Sequence, residues 1–355
     1  GDSMEFLYSN YMPLKMGSSS FVDKFFDAMV DAKQLDIAVG YITADSLIEL
    51  KKIVELNNLQ RLNLIIGMHY FEKFTKPEYR AAMALNSFLK QSGCGAVKLV
   101  TPFKYHGKIY TYSKNNKPVA GIIGSNNLSS IIGSNSRTYE ASVYIQEPDA
   151  VKSMYSFVSE LSLKASDDID ALDIQEFKER NPLLEGHEHV EKIVDVELEH
   201  VKNSIIENVS FDIPIKGAEQ CAKSNLNVYF GEGRKSPNGI IKPRHWYEVE
   251  IIVPKAVTSQ QGYPKADTDE AIFDVVTDDG WKFKCKISGT NSKNFRSEND
   301  LKILGKWIKG RLENEGVLRI GEPVTQQTII DYGRDNLKLT KTTIPNTWYL
   351  DFGVR

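Results

Sequence analysis

Cysteine is scarce in this chain of 355 residues. The three cysteines, Cys94, Cys221 and Cys285, lie far apart and form no Cys-x-x-Cys motif, so we expect neither a disulfide framework nor a zinc site built on cysteine. His187 and His189 lie close together in an acidic stretch, where two solvated histidines are a simpler interpretation than a metal site. We therefore expect no metal. Unpaired thiols are typical of a reducing compartment, which predicts a cytoplasmic protein.

Long hydrophobic runs are also missing. The longest apolar stretches, such as Leu62 to Met68, have the length of a strand, whereas a membrane-spanning helix needs about 20 apolar residues. We therefore expect no association with a membrane. Gly1-Asp2-Ser3 before Met4 is typical of the remnant of an expression tag, and no signal peptide is expected.

Neither sign of charge dominates, since the formal net charge is −3. Residues 164–204 are the exception, because five basic and twelve acidic residues give this segment a net charge of −7. An acidic segment between two mildly basic regions predicts a linker. The chain is long enough for two hydrophobic cores. We therefore predict a first domain at residues 4–163, an acidic helical linker at 164–204 and a second domain at 205–355.

The first domain alternates strand-like and helix-like segments. Apolar runs at residues 35–42, 61–68 and 96–102 predict strands, and residues 44–57 and 76–93 carry apolar side chains at helical spacing. Strand, helix, strand, helix, strand predicts an α/β domain with a mixed sheet and flanking helices. Functional sites of such sheets gather at the ends of strands.

A hairpin is predicted next. Ile109 to Tyr112 and Val119 to Ile123 are rich in β-branched and aromatic residues, and Asn115-Asn116-Lys117-Pro118 between them is typical of a turn. His106 and Lys108 are two apart, so on the first strand their side chains would leave the same face. Gly124-Ser125 would then end the second strand and aim Asn127 at that face.

Histidine, lysine and asparagine together suit phosphoryl transfer. An imidazole can attack phosphorus and form a phosphohistidine, which divides one difficult displacement into two easier ones. A lysine and an amide donor can stabilise the charge on the nonbridging oxygens without a metal. One copy lacks the second histidine that must protonate the leaving oxygen, so a catalytic site here requires two chains across a twofold axis. A strand histidine without a catalytic role is the alternative.

His106-Gly107-Lys108 followed by Gly124-Ser125-Asn126-Asn127 resembles the signature of the phospholipase D superfamily. The resemblance implies that His106 is the nucleophile in one subunit and the leaving-group acid in the other. It also implies that Lys108 and Asn127 bind the scissile phosphate, that Ser125 supports it and that Glu140 orients a histidine.

Two departures from the superfamily pattern concern the hairpin. Ser113 stands where an aspartate is usual, and the gap from Lys108 to Gly124 is longer than usual. His200-Val201-Lys202 repeats the His-x-Lys spacing, but no Gly-Ser-x-Asn follows it. The combination of both motifs in a strand context is what makes the first copy specific.

Only one full copy of the signature occurs, whereas most lipid-cleaving members carry two. A single copy before a second domain resembles the metal-independent restriction endonucleases typified by BfiI, and more closely the NgoAVII and NgoFVII-type family. That resemblance implies DNA cleavage by a homodimer and a helicase-like partner that uses ATP. No Walker motif occurs here, so ATP and magnesium would be required only by that partner, and we expect no cofactor for this chain.

The pattern of the second domain predicts an all-β fold, a small barrel or pseudobarrel, because short strand-like segments are separated by turn residues. One helix is predicted over residues 297–316, capped by Ser297 or Asn299 and ended at Gly316. The strand-like segments lie at residues 246–253, 272–277, 281–288, 316–320 and 347–354. The tryptophans predicted for the core are Trp246, Trp281 and Trp307.

Basic residues concentrate at 223–244 and 282–311, mixed with Ser, Asn and Gly. These residue types contact phosphates and base edges, although a single basic loop is more often just solvated. The two stretches resemble the arms of the B-three-like pseudobarrel, which implies a grip on the major groove of double-stranded DNA. The candidate DNA-binding residues are Arg234, Lys235, Lys242 and Arg244 in the first arm and Lys293, Asn294, Arg296 and Ser297 in the second.

The sequence thus predicts a site-specific restriction endonuclease. A lipid or nucleotide phosphodiesterase and a DNA-binding regulator with a silent nuclease domain are the alternatives. A further hypothesis concerns Asp167, Asp168, Asp170 and Asp173, which we expect to fold over the catalytic cleft and compete with DNA; a solvated spacer is its alternative.

Overall fold

The computed structural model describes residues 3–17, 19–133, 138–179 and 183–354. They divide into two compact units. The first contains the described residues up to 179 together with Gly233–Pro243, and the second contains the other residues from 183 onward. Within these ranges, no helix is both long and apolar enough to cross a membrane.

The first unit is a mixed sheet with flanking helices. Its strands are β1 (Met4–Tyr8), β2 (Gln34–Val39), β3 (Arg61–Ile66), β4 (Gly95–Val100), β5 (Ile109–Lys114), β6 (Lys117–Gly124), β7 (Ala141–Ile145) and β8 (Ser166–Asp168). Its helices are α1 (Phe21–Asp27), α2 (Ala44–Asn57), α3 (His69–Glu72), α4 (Lys76–Gln91) and α5 (Pro148–Ala165). The strand order is β1-β7-β6-β5-β2-β3-β4-β8, in which β2, β3 and β4 are parallel and the other pairs antiparallel.

Helix α2 forms where its pattern predicted it, because local signals define both ends. Thr43 and Ser46 form a capping box at the N-terminus, and Asn58 adopts the left-handed conformation (φ 51°) that ends the helix. Helix α4 begins with a second capping box, from Thr75 and Glu78. The predicted α/β architecture of the first domain is therefore confirmed.

Strands β5 and β6 form the predicted hairpin. Asn115 and Asn116 both have positive φ (52° and 63°), which is the geometry that a two-residue hairpin turn requires. The register shifts between Tyr112 and Ser113, so β6 carries one extra residue there. The expectation that His106 and Lys108 lie on the strand is wrong, because β5 begins only at Ile109 and both residues precede it.

Part of the predicted linker joins the first sheet. Strand β8 pairs with β4, and the Asp168 carboxylate accepts a 3.0 Å hydrogen bond from the Asn86 side chain. The Lys90 ammonium lies 2.7 Å from carboxylate oxygens of both Asp168 and Asp170. Two of the four carboxylates expected to cover the cleft are therefore paired with helix α4 instead.

Beyond residue 183 the chain is mainly β. The strands are β9 (Glu191–Lys192), β10 (Ile205–Pro214), β11 (Arg234–Lys235), β12 (Ile241–Lys242), β13 (Ile251–Ile252), β14 (Ile272–Thr277), β15 (Trp281–Ser288), β16 (Asn294–Ser297), β17 (Asn336–Thr342) and β18 (Thr347–Asp351). The helices are α6 (Asp195–Asn203), α7 (Lys255–Thr258), α8 (Leu301–Asn314) and α9 (Gln326–Tyr332).

The second unit contains a sheet in the order β10-β17-β18-β14-β15-β16-β13, and β9 pairs with β15. All neighbours are antiparallel except β14 and β18. Trp246 and Trp307 lie in the core as predicted (0% and 1% exposed), whereas Trp281 is only partly buried, with the Lys192 ammonium 4.5 Å from the centre of its ring.

Two local predictions for this unit are wrong. Residues 316–320 form no strand, because Gly316 ends helix α8 in a positive-φ conformation (76°) and the chain continues irregularly. The cap of α8 is Asp300, whose side chain accepts from Lys302 N–H, rather than Ser297 or Asn299.

Candidate active site

The candidate catalytic residues gather at one edge of the first sheet. Because β2, β3 and β4 are parallel, their carboxyl ends meet at this edge, where antiparallel β5 begins and β6 ends. His106 follows β4 and, with Lys108, immediately precedes β5, whereas Asn127 follows β6 and Glu140 precedes β7. The topology therefore brings together four side chains that are spread over 35 positions of sequence.

The residue between His106 and Lys108 has to be small. A Cβ atom on Gly107 would lie 2.4 Å from the hydroxyl oxygen of Tyr105, whose buried ring folds back under the motif. Burial raises the pKa of Tyr105 to about 12, so this hydroxyl stays neutral. The His-Gly-Lys turn is thus shaped by the side chain that precedes it.

Lys108 is held close to the histidine by the backbone. Its ammonium donates a 2.7 Å hydrogen bond to the carbonyl oxygen of His106. Burial lowers the pKa of Lys108, and the Glu140 carboxylate acts in the opposite direction. Glu140 is therefore close enough to interact with Lys108 electrostatically. Within the described part of the chain, its carboxylate makes no hydrogen bond to His106 of the same chain.

Ser125 fixes the end of β6 to the start of β7. Its hydroxyl donates to the carbonyl of Ala141 (3.2 Å) and accepts from the N–H of the same residue (3.0 Å). Both hydroxyl contacts are therefore structural. The supporting role implied for Ser125 can be exerted through the shape of this turn.

Asn127 is oriented by a residue that the sequence analysis did not identify. The peptide N–H of Tyr41 donates a 3.1 Å hydrogen bond to the Asn127 side-chain oxygen. Because this oxygen accepts from the backbone, the amide NH₂ is the part left to donate to a phosphate oxygen. Tyr41 follows β2, 86 positions before Asn127, so no local motif could have indicated the contact.

The turn that carries Tyr41 is braced by His69, which is 3% exposed. The N–H of Ile42 donates to His69 Nε2 (3.1 Å), so the proton of the neutral ring is on Nδ1, 3.0 Å from the carbonyl oxygen of Lys73. Burial lowers the pKa of His69, which is consistent with a neutral ring. His69 is therefore a structural histidine that supports the turn carrying Tyr41.

The residues predicted for the first DNA-binding arm occupy different environments. Arg234, Lys235 and Lys242 lie on the β11–β12 hairpin, which belongs to the first compact unit. Arg234 and Lys235 are exposed, whereas the Lys242 ammonium lies 3.4 Å from Asp23. Arg244, in the second unit, makes hydrogen bonds of 2.6 and 3.2 Å to the Glu248 carboxylate.

The second predicted arm lies on and beside β16. Lys293 is exposed and Arg296 is half-buried. Asn294 pairs with Ser288 across the sheet. Ser297 is fully buried; its hydroxyl donates to the Asp300 carbonyl (2.5 Å) and accepts from Leu304 N–H (3.2 Å). Ser297 thus supports the start of α8, while Lys293 and Arg296 are the accessible cations of the set.

Comparison with known protein families covers both parts of the chain. Residues 20–171 match the NgoFVII restriction endonuclease N-terminal PLD domain, and residues 201–343 match the NgoFVII C-terminal B3-like DNA-binding domain. The chain belongs to the NgoFVII restriction endonuclease family. The predicted phospholipase D-like fold and B-three-like pseudobarrel are thereby confirmed, and an NgoFVII-type chain is a nuclease with DNA as a partner. A search of curated proteins found no match.

Several solved structures resemble part of this NgoFVII-family chain at low sequence identity. The phospholipase D family member Nuc from Salmonella typhimurium is 19% identical over 47% of this chain and 97% of its own, with a TM-score of 0.33. NucT from Helicobacter pylori is 13% identical over 41% of this chain and 89% of its own, with a TM-score of 0.31. Phosphatidylserine synthase from Haemophilus influenzae is 15% identical over 48% of this chain and 41% of its own, with a TM-score of 0.35.

Proposed function

We propose that this restriction endonuclease is sequence-specific and cleaves double-stranded DNA through a phosphohistidine intermediate on His106. The observation that carries the proposal is the meeting of His106, Lys108 and Asn127 at one sheet edge, in a chain whose second region matches a DNA-binding family. A lone strand histidine would not be accompanied by a lysine and an oriented amide.

The proposed reaction has two displacements. A ring nitrogen of His106 attacks the phosphorus, a P–N bond forms and the P–O bond to the leaving nucleotide oxygen breaks, while a second histidine protonates that oxygen. Water then attacks the phosphorus, gives a proton to the second histidine and releases the phosphate end and free His106. Lys108 and the Asn127 NH₂ group would stabilise the negative charge on the nonbridging oxygens in both steps.

The second histidine would come from a second copy of the chain. One copy contains a single full signature, so we propose a homodimer in which His106 of each subunit serves the shared site. Lys108 supplies a positive charge beside the phosphate, which supports chemistry that needs no metal. The helicase-like partner with its ATP and magnesium rests on the family resemblance alone, and the proposed cytoplasmic location rests on the unpaired cysteines.

The decisive experiment compares His106→Ala with His200→Ala in the full-length protein. His200 is exposed on α6 and also lies in a His-x-Lys sequence, so it is a matched control. We expect His106→Ala to abolish DNA cleavage while the protein still binds its DNA sequence, and His200→Ala to behave as wild type. Acid-labile labelling of the wild-type enzyme by ³²P-DNA, absent from His106→Ala, would identify the intermediate. Cleavage by His106→Ala at the wild-type rate would refute the proposed nucleophile.

A further inference from the structure

Tyr41 contacts two residues of the candidate site and is anchored to a third residue outside it. Its peptide N–H orients Asn127, and its ring packs edge-on against the imidazole of His106, with ring centres 5.7 Å apart and planes at 83°. Its hydroxyl donates a 2.5 Å hydrogen bond to the carboxylate of Glu72. One residue outside the signature therefore contacts two of the side chains to which the proposed reaction assigns roles.

The surroundings of His106 leave its ring little room on this side. A Cβ atom on Gly40 would lie 3.0 Å from Cδ2 of His106, so the imidazole packs directly against the turn that follows β2. The Tyr41 ring, from the next residue of the same turn, packs against the imidazole as well. His106 is otherwise exposed, so these contacts fix one side of the imidazole and leave the other side open to a phosphate, which favours attack along one line.

The Tyr41 ring is itself fixed at its far end. The Glu72 carboxylate that accepts this hydrogen bond is also paired with a cation, because it lies 3.5 Å from the ammonium of Lys104. This hydrogen bond lowers the pKa of Glu72 and raises that of Tyr41, so the phenol remains the donor and the carboxylate the acceptor. Lys104 lies two positions before His106, so the chain of contacts returns to the segment that carries the nucleophile.

We propose that Tyr41 is a positioning residue for the nucleophile, held by Glu72 so that its ring sets the orientation of the His106 imidazole. The proposal rests on the proposed function, since it assigns Tyr41 a role only if His106 attacks the phosphate. Tyr41 does not contact the reacting atoms through its hydroxyl, which is committed to Glu72.

The test uses Tyr41→Ala, Tyr41→Phe and Glu72→Gln in the full-length enzyme, with Tyr155→Ala as the matched control. Tyr155 is also half-buried in the first unit, but its ring faces Arg61 at the start of β3, at the opposite edge of the sheet. We expect Tyr41→Ala to reduce the single-turnover rate of phosphohistidine formation ~10- to 100-fold, because small displacements of a reacting group have effects of this size. The affinity for the specific DNA and the melting temperature of the dimer should change little.

The two conservative variants separate positioning from general stability. Tyr41→Phe keeps the ring but loses the hydrogen bond that fixes it, so it should lose part of the rate, less than Tyr41→Ala, and Glu72→Gln should resemble it. Both changes weaken the same contact, the first by removing the donor and the second by removing the charge of the acceptor, so the double variant should be no slower than the slower single one. Tyr155→Ala should keep the wild-type rate.

Three results would overturn the proposal: a Tyr41→Ala enzyme that forms the adduct as fast as wild type, a loss confined to DNA affinity, or an additive double variant. If Tyr41→Ala does not fold, a partial loss of rate in both Tyr41→Phe and Glu72→Gln supports the proposal, and wild-type rates in both overturn it. An inactive His106→Ala enzyme together with fully active Tyr41 variants would refute the role of Tyr41 and leave the proposed function intact. An active His106→Ala enzyme would refute both.

Discussion

The hydroxyl of Tyr110 donates a 2.8 Å hydrogen bond to the backbone carbonyl of Asn126. Tyr110 is 1% exposed and lies on the central strand β5, so a core residue holds the turn that presents Asn127. The side-chain oxygen of Asn126 is held in turn by the Ser142 hydroxyl (2.5 Å). The position of Asn127, the proposed phosphate-binding residue, therefore depends on buried polar contacts within the first unit.

Tyr110→Phe should affect both stability and activity. The change leaves the buried carbonyl of Asn126 without this donor, which should lower the free energy of unfolding by about 1–3 kcal/mol. Because the turn is no longer fixed, the cleavage rate should fall roughly tenfold. Denaturant unfolding and single-turnover cleavage measure the two effects.

Tyr112→Phe is the matched control for this prediction. Tyr112 is also fully buried on β5, but its hydroxyl donates to the carbonyl of Phe25 (2.9 Å), away from the turn. It should lose comparable stability and keep its cleavage rate. Equal rate losses in the two variants would contradict the specific role of Tyr110.

The alkaline limb of the pH–rate profile should depend on Glu140. If the Lys108 cation is required, the rate falls as pH rises through its pKa, which burial places below that of an ordinary lysine. The Glu140 carboxylate raises that pKa, so Glu140→Gln should move the limb to lower pH. The profile of kcat/KM measures the shift, and Glu160→Gln, on the exposed side of α5, should leave it in place. A limb that moves to higher pH would show that Lys108 does not control it.

Hydrolysis of a phosphodiester should survive chelation of divalent ions. Among the described residues, no group of three or more His, Cys, Asp or Glu side chains could hold a metal ion, and the proposed reaction takes its positive charge from Lys108. A chromogenic diester such as bis(p-nitrophenyl) phosphate avoids any requirement for a helicase partner. Activity lost in EDTA and restored by magnesium would contradict the proposed chemistry.

Arg296 and Arg244 should respond differently to truncation. Arg296→Ala removes an accessible cation of the second arm; if it reads a base, specific binding should weaken by ~1–3 kcal/mol and discrimination relax at one position. Arg244→Ala removes the partner of a carboxylate that is 5% exposed, so its main effect should be a lower melting temperature. Binding titrations on single-base variants of the site, at fixed salt, distinguish the two. A uniform loss over all sequences would make Arg296 a phosphate contact.

Local sequence patterns predicted much of the first domain because several of its helices and strands begin and end at residues that favour a cap or a turn. The capping box at Thr43 and the left-handed Asn58 define α2 to the residue, and the paired asparagines at 115 and 116 define the hairpin. Helix α5 was not predicted. Only Val151, Val158 and Leu161 are buried along its 18 residues, so its apolar stripe is narrow.

The site was predictable only where a motif marks it. His106, Lys108 and Asn127 lie within 22 positions and share a recognisable spacing. Tyr41 and His69 reach the same place from other strand ends, through a peptide N–H and a buried ring. Such contacts depend on the packing of distant segments and leave no periodic or spacing signal in the sequence.

The hairpin that separates the two halves of the signature has its register shift at the end remote from the chemistry. The Asn115-Asn116 turn lies about 20 Å along β5 from Lys108, given a rise of roughly 3.3 Å per residue, and the extra residue of β6 and the buried Ser113 lie near that turn. Residues can therefore be gained or lost there without disturbing the pairing of Ile109 with Ile123 beside the site. Motif searches that allow a variable hairpin between His-x-Lys and Gly-Ser-x-Asn should recover enzymes of this architecture that a fixed spacing excludes.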